Sequence, residues 1–465
     1  MTTAPSAAAT AAAPALAAGL QYSERREHEL RKSRVVMIDG ALTQNSRSSD
    51  AGTSVRVYRD GYWGFASQPG AAVRVASALE HQAIANAAAM SRFGPRSVLT
   101  LPAGGYRGEH AWRGRAPLSA AEVQERLTAL NAWCRQSFPG LTSVRFIVSD
   151  EHHSKRVVAS TGADSLSTIQ RASLHVAFVA PGADGAPVEL VELLSGKGHL
   201  GDLDWSLDAL APRLQALHVH LRAKCQAVAA RGGLQTVVLA APLAGMLAHE
   251  AMGHPCEADI VLGGAVTGGL LGQPVASELV GMVDYAHHVD DAEVMIPVYA
   301  DDEGTPAEDA VLIRDGRLTG FMHSRETAAR MGARPTGSAR AYAPADEPLV
   351  RMRNTAILPG TTSLDDMIAG VEDGYFLMKT ANGQADSTTE FMFGISLAYE
   401  IRQGRLGRAI RDTTVSGSAI KVLQSVDAVG SEMEWSCAGY CGKKQPMVVS
   451  MGGPALRARV HLGGE

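Results

Sequence analysis

Cysteine is scarce in this 465-residue chain. The five residues are Cys134, Cys225, Cys256, Cys437 and Cys441. An odd number spread so widely implies no disulfide framework, and a reducing cytoplasm is the simplest compartment. Blocks of Lys and Arg are also missing. The net charge is -5 and the isoelectric point near 6.3, so the chain has no basic footprint for nucleic acid. Long apolar runs are absent too. The longest, Leu234 to Leu247, falls short of the ~18 residues a membrane helix needs, so no membrane span is expected. No internal repeat recurs at a fixed period. The first twenty residues are rich in alanine but have no basic n-region, which argues against a secretory signal and for a disordered tail over 1–20. What remains is 46% hydrophobic and 20% charged, within the soluble globular range. The length suits two or three domains.

The pattern divides near Gly233. Residues 21–232 read as an N-terminal α/β domain with an antiparallel sheet and helices. Asp39-Gly40 and Asp60-Gly61 punctuate an antiparallel meander over 33–68. Residues 71–93 are alanine-rich and helical. Ser119 with Glu122 predicts a capping box and a helix to about Ser137. Strand-like segments follow at 143–150, 155–161, 173–180 and 187–194. Leu214, Leu217, Leu221, Cys225 and Val228 then form one helical stripe, stopped at Gly232-Gly233. Residues 233–465 are richer in glycine and short strands, with turns at Asp315-Gly316 and Gln403-Gly404. They read as a mainly β, barrel-like domain. The expected fold class is therefore α+β.

The stretch His249-Glu250-Ala251-Met252-Gly253-His254 carries the chemistry. Two imidazoles and a carboxylate can hold a divalent cation and move a proton beside it. The common zinc-helix signature spaces its histidines by four. Here they are five apart, ~140° around a regular helix. The backbone must bend between them, or adopt a π-type turn that brings residues five apart into register. Gly253 offers a φ that other residues resist. Pro255 biases His254 away from helical angles. Both point to a helix that ends or distorts near Gly253. Glu257 and Asp259 follow as partners for a ligating imidazole or, equally, as solvated loop acids.

A catalytic zinc takes three protein ligands. Cys441, followed by Gly442, Lys443 and Lys444, sits in a cationic, flexible setting that favours thiolate, and it is the choice for the third. Cys437 is the alternative, and the two could instead form a redox pair. Core packing is the reading for Cys256, Cys225 and His218. Surface loops are the reading for His152-His153 and His287-His288.

These residues resemble the TldD branch of the TldD/PmbA family of metallopeptidases. HEAMGHPCEAD at 249–259, DDEGTP at 301–306, the stretch from Met331 to Asn354, NGQAD at 382–386 and CGK at 441–443 carry the resemblance, together with the N-terminal meander through GYWGFAS. It runs from about Tyr22 to the end. It departs from the commoner pattern at Cys437 and at Pro255-Cys256. It implies His249, His254 and Cys441 as ligands of one Zn2+ per chain, with Glu250 as general base and acid. It also implies an α/β N-terminal and a β-rich C-terminal domain, small or unfolded peptides as substrates, and a dimer. The partner would be a PmbA/TldE-type subunit lacking the zinc motif, or a second copy.

The expected reaction is hydrolysis of a peptide bond by metal-activated water, with Glu250 taking the proton and delivering it to the leaving amine. A thiolate ligand weakens the Lewis acid and predicts modest turnover. An extended peptide could add as a strand to an exposed edge. Gly304, Gly337 and Gly383 read as ordinary turns rather than groove lining. Asp302, Arg340 and Asp386 read as exposed polar groups. The competing readings are a pathway-specific amide hydrolase that tailors a peptide natural product, and a non-catalytic peptide-binding subunit of a TldD/TldE-type assembly.

Overall fold

Two Asp-Gly turns set the N-terminal sheet. In the computed structural model, which describes residues 19–70, 76–112, 114–385 and 388–464, Asp39 and Gly40 have φ of 53° and 84°, and Asp60 and Gly61 of 52° and 87°. Positive φ at both central residues is the hairpin geometry that matches strand twist. The turns join β1 (Leu20–Ile38), β2 (Ala41–Arg59) and β3 (Tyr62–Pro69). With β4 (Arg107–His110), β5 (Ser143–Ala159), β6 (Asp164–Pro181) and β7 (Pro187–Lys197) they make one sheet in the order β3-β2-β1-β5-β6-β4, with β7 also on β6. The meander thus begins at Leu20 rather than near 33. The expected tail over residues 1–20 lies, up to residue 18, outside the described residues. The segments expected at 143–150 and 155–161 are one strand, β5.

Alternation decides which face of this sheet meets what. On one face Val35, Met37, Phe146, Val148, Leu174 and Val176 are buried beneath two helices, Ala120–Ser137 and Leu207–Lys224. The first carries the predicted capping box between Ser119 and Glu122. The second ends at Lys224, and Val228 leaves the stripe to bridge Ile410. The opposite face carries Arg26, His28 and Lys155 and docks on the C-terminal half. Lys155 Nζ binds Asp302 at 2.7 Å and the Ala341 carbonyl at 2.7 Å. Arg26 donates to the Asp346 carbonyl. Arg26 and Lys155 thus find partners across the seam, while His28 pairs with His153 of the same sheet at 3.1 Å.

That seam corrects several expectations. Asp302 and Arg340 are buried rather than exposed. His152 and His153 lie inside β5, not on a surface loop, and His153 is buried against His28 and Glu151. His287 and His288 are part-buried, with His287 stacked on Tyr299. Gly304 and Gly337 do have positive φ, but they also admit close neighbours. A Cβ on Gly304 would meet Ala163 Cβ at 2.4 Å, and one on Gly337 would meet Ala307 Cα at 2.5 Å.

Five C-terminal strands close into a barrel: Gly233–Leu239, Asp373–Ala385, Glu390–Arg402, Thr413–Ser418 and Leu456–Leu462. A second, six-stranded sheet includes Met282–Tyr285, Asn354–Ile357 and Ser450–Gly453. The helix Ala241–Leu247 is wedged between barrel and sheet, and Gly245 lets it approach the backbone of Gly452. The fold is α+β with a barrel in the C-terminal region. No helix among the described residues is long and apolar enough to cross a membrane.

Candidate metal centre

The chain leaves the barrel strand Gly233–Leu239 and enters the helix Ala241–Leu247, with Pro242 in its first turn, where a missing N–H costs nothing. The helix then widens into a π-helical turn over Ala248–Gly253 and tightens into a 3-10 turn over His254–Cys256. The backbone N–H of His254 donates to the carbonyl of His249, five residues back. That bond brings the two imidazoles together, with ring centroids 5.0 Å apart.

Of the two ways the spacing could be met, the chain uses the π turn, and neither Gly253 nor Pro255 acts through dihedral angles. Gly253 has φ -58° and ψ -58°, and His254 φ -60° and ψ -50°, all ordinary helical values. Gly253 matters because of space: a Cβ there would sit 2.3 Å from Met352 Sδ.

Cys441 arrives from the opposite side, on the strand Tyr440–Lys443 of a hairpin with Gln445–Val448. Its Sγ lies 3.4 Å from His254 Nε2. One ligand atom from each of His249, His254 and Cys441 falls within 4.8 Å of the others. Zinc bonds of ~2.1 Å to nitrogen and ~2.3 Å to sulfur, at tetrahedral angles, put N and S about 3.6 Å apart. His249 Nδ1 is buried and has no hydrogen-bond partner among the described residues. The donor set and its spacing fit a zinc ion.

Cys441 is buried rather than in an exposed, flexible loop. Burial alone would raise its thiol, but the His249 and His254 imidazoles bring it down to about 5. For His254 burial works against charge, yet bonds to Cys441 and Glu257 push it up to about 10. Thiolate is the form in which cysteine binds a metal ion, so the lowered thiol suits a ligand role.

Glu257 is buried and supports His254. His254 Nδ1–H donates to its Oε2 at 3.1 Å, and Lys443 Nζ stands 3.1 Å from the same oxygen. Lys443 also binds both oxygens of Asp259, at 2.9 and 3.0 Å. The lysine after Cys441 thus ties the cysteine strand to the acids of the histidine motif. Arg351 donates to the Cys441 carbonyl at 2.6 Å. Cys256 packs in the core, and Cys437 is buried but apart from the three-residue cluster.

Glu250 is part-buried beside the cluster, its Oε2 4.0 Å from His254 Nε2. Gly383 faces it: a Cβ there would lie 3.4 Å from Glu250 Cγ. So Gly383 belongs to a barrel strand passing over the site, not to a turn. Asp386 lies outside the described residues.

Residues 232–464 match the family model described as PmbA/TldA metallopeptidase C-terminal domain, and residues 26–91 match PmbA/TldA metallopeptidase domain 1. A protein of Methanothermobacter thermautotrophicus named Metalloprotease is 30% identical, over 96% of each chain. The chain belongs to the PmbA/TldD metallopeptidase family. A Saccharolobus solfataricus protein named Zinc metalloprotease TldD homolog is 29% identical, over 70% of this chain and 72% of that one. The crystal structure of TldE from Thermococcus kodakarensis shares the fold, with a TM-score of 0.71 at 17% identity over 94% and 96% of the chains.

Within this family member, one group of residues escaped the sequence reading. Arg171, on β6, donates through Nη1 to the carbonyls of Cys437 and Gly439 at 2.5 and 2.6 Å. Its Nε and Nη2 hold Glu151 on β5 at 2.9 and 2.8 Å. Glu151 also accepts from the hydroxyls of Tyr342 and Tyr440. This clamp fixes the loop that delivers Cys441. A buried Arg-Glu pair facing a distant backbone has no local spacing signature.

Proposed function

We propose that this chain is a zinc-dependent peptidase that hydrolyses small or unfolded peptides. The observation that carries the reading is the convergence of His249, His254 and Cys441, from segments almost two hundred residues apart, at spacings suited to one zinc ion. Their nitrogens and sulfur would hold the ion. Zinc, when bound, supplies Lewis acidity toward a carbonyl and toward water. Glu250, whose Oε2 lies 4.0 Å from His254 Nε2, would take a proton from the attacking water and hand it to the leaving amine. Glu257 keeps the proton of His254 on Nδ1 and leaves Nε2 facing the centre. The names of the relatives support the metallopeptidase reading. The assembly we read, from the family resemblance, is a dimer with a PmbA/TldE-type subunit or with a second copy of this chain.

The test pairs elemental analysis with mass-spectrometric readout of a peptide library. Glu250→Gln should keep stoichiometric zinc and lose hydrolysis. Cys441→Ala should lose both. Full activity in Glu250→Gln would remove Glu250 from the reaction. A wild-type protein without stoichiometric metal would end the reading.

A further inference from the structure

The hairpin that carries Cys441 joins no larger sheet among the described residues. Tyr440–Lys443 pairs only with Gln445–Val448. A lone two-stranded hairpin is marginal by itself in water. Its place beside His249 and His254 must come from bonds to other elements. Arg351 supplies part of the hold, donating to the carbonyls of Cys441, Lys443 and Gln445 at 2.6, 3.3 and 2.8 Å. Arg171 holds the loop that enters the hairpin. The returning arm is held by a buried amide, Gln445.

Gln445 uses both ends of its amide. Its Oε1 accepts from the Tyr342 N–H at 2.7 Å, and its Nε2 donates to the Glu347 carbonyl at 2.9 Å. Both partners lie in one strap, residues 341–348, whose flanks pair as Ala339–Arg340 with Leu349–Val350. The strap is bonded in turn to the N-terminal sheet. Lys155 on β5 donates to the Ala341 carbonyl, and Asp302 accepts from both Lys155 and the Ala341 N–H, each bond 2.7 Å. The Tyr342 hydroxyl donates to Glu151 on β5 at 2.6 Å. Arg26 on β1 donates to the carbonyls of Ala343, Pro344 and Asp346 at 3.3, 3.3 and 2.5 Å. The strap is thus bonded to the sheet of one domain and to the ligand hairpin of the other.

We infer that Gln445 is a positioning residue for Cys441, and that through Gln445 and the strap the N-terminal sheet holds the third ligand at the metal centre. The inference rests on the reading of His249, His254 and Cys441 as zinc ligands and names what sets their geometry. Gln445 pairs with Lys443 in the hairpin ladder, two residues beyond Cys441, so a shift of the returning arm carries the sulfur with it. Zinc–ligand distances stay within ~0.2 Å of their ideal values. Loosening the hairpin is therefore felt first as weaker metal binding.

The experiment uses the full chain. Zinc affinity is measured by competition, the sulfur–metal bond by the thiolate charge-transfer band of cobalt(II), and the hairpin by amide exchange of the metal-free protein. Gln445→Met keeps the length and loses both bonds. It should weaken zinc binding about tenfold, dim the cobalt band and speed exchange over residues 440–448. Lys155→Met, in the other domain, should do the same more weakly, about threefold in affinity. Because both act through one strap, the double variant should fall short of the roughly thirtyfold product. Leu127→Ala is the control. Leu127 is buried under the helix Ala120–Ser137, on the face of the sheet away from the strap. This variant should lower the melting temperature and leave zinc affinity and the cobalt band unchanged. The inference is overturned if Leu127→Ala weakens the metal as much as Gln445→Met does, or if Gln445→Met moves none of the three readouts. A wild-type chain that binds neither zinc nor cobalt would end the metal reading. Exchange would still decide the positioning: faster over 440–448 in Gln445→Met and Lys155→Met upholds the strap's hold, and wild-type rates refute it.

Discussion

Glu257 receives the outer N–H of His254 while sharing its other attraction with Lys443, two residues beyond Cys441. One buried carboxylate thus couples both halves of the candidate metal centre. Burial works to raise that carboxyl, but Lys443 and His254 hold it down at about 2, so it stays ionised. Glu257→Gln would keep the shape and remove the charge. Lys443 and Arg351 would lose their buried counter-charge, at a cost of about 3 kcal/mol. His254 would lose its fixed tautomer, so zinc affinity should fall roughly 10- to 100-fold. Thermal denaturation and competitive zinc titration measure the two effects separately. Unchanged zinc affinity would show that the carboxylate serves the fold alone.

Gly253 offers a test of the π turn. An added methyl would collide with Met352 Sδ, in a region where Met352 is itself buried. Overpacking of this kind costs about 1–3 kcal/mol. The helical angles of Gly253 suit alanine, so the strain must appear as displacement of Met352 or of the turn. Gly253→Ala should therefore weaken zinc binding along with stability. Gly253→Ala combined with Met352→Ala should recover part of both. If the double variant recovers neither, contact with Met352 is not what requires glycine here.

Arg171 gives a prediction at a distance from the ions and bonds of the site. Its guanidinium reaches Glu151 and two carbonyls of the cysteine loop at once. An ammonium keeps the charge but not the fork. Arg171→Lys should lower stability by about 2 kcal/mol, since buried carbonyls lose their donors. It should also loosen the 437–440 loop, seen as faster amide exchange there and a weaker zinc affinity. Wild-type exchange rates in that loop would contradict the clamp.

How much of this was legible in the sequence depends on how local each signal is. The two Asp-Gly hairpins and the Ser119 capping box follow from short-range stereochemistry, and they stand where the pattern puts them. Residues 20–32 form a strand that periodicity concealed, because Glu24, Arg26 and His28 occupy the buried positions and owe their burial to the far half of the chain. The five-residue spacing of His249 and His254 allowed a bend or a π turn, and the choice between them rests on the helix being packed between barrel and sheet. Lys443 read as a reason for Cys441 to ionise. It is instead engaged by Glu257 and Asp259, and the histidines do that work.

The buried histidines predict an acid-sensitive fold. Burial, helped by the positive charges of Lys155 and Arg171, lowers His153 to about 4 although Glu151 opposes the shift. Burial also lowers His323 to about 4. Unfolded histidine titrates near 6.5. A group whose folded pKa is depressed contributes stability that is complete above 6.5 and lost as pH falls through 4. For His153 the loss amounts to roughly 3 kcal/mol. Glu24 and Asp301 act in the opposite sense, since burial raises both above the usual carboxylate range and their contribution is lost as pH rises. The wild-type profile is a sum of these, so the difference curve against His153→Gln isolates the histidine. The variant should be less stable at pH 7, where its bonds to His28 and Glu151 are missed, and the gap should close toward pH 4. Denaturant midpoints at pH 7, 5.5 and 4.5 measure it. A gap that stays constant across that range would mean that His153 does not take up a proton on unfolding.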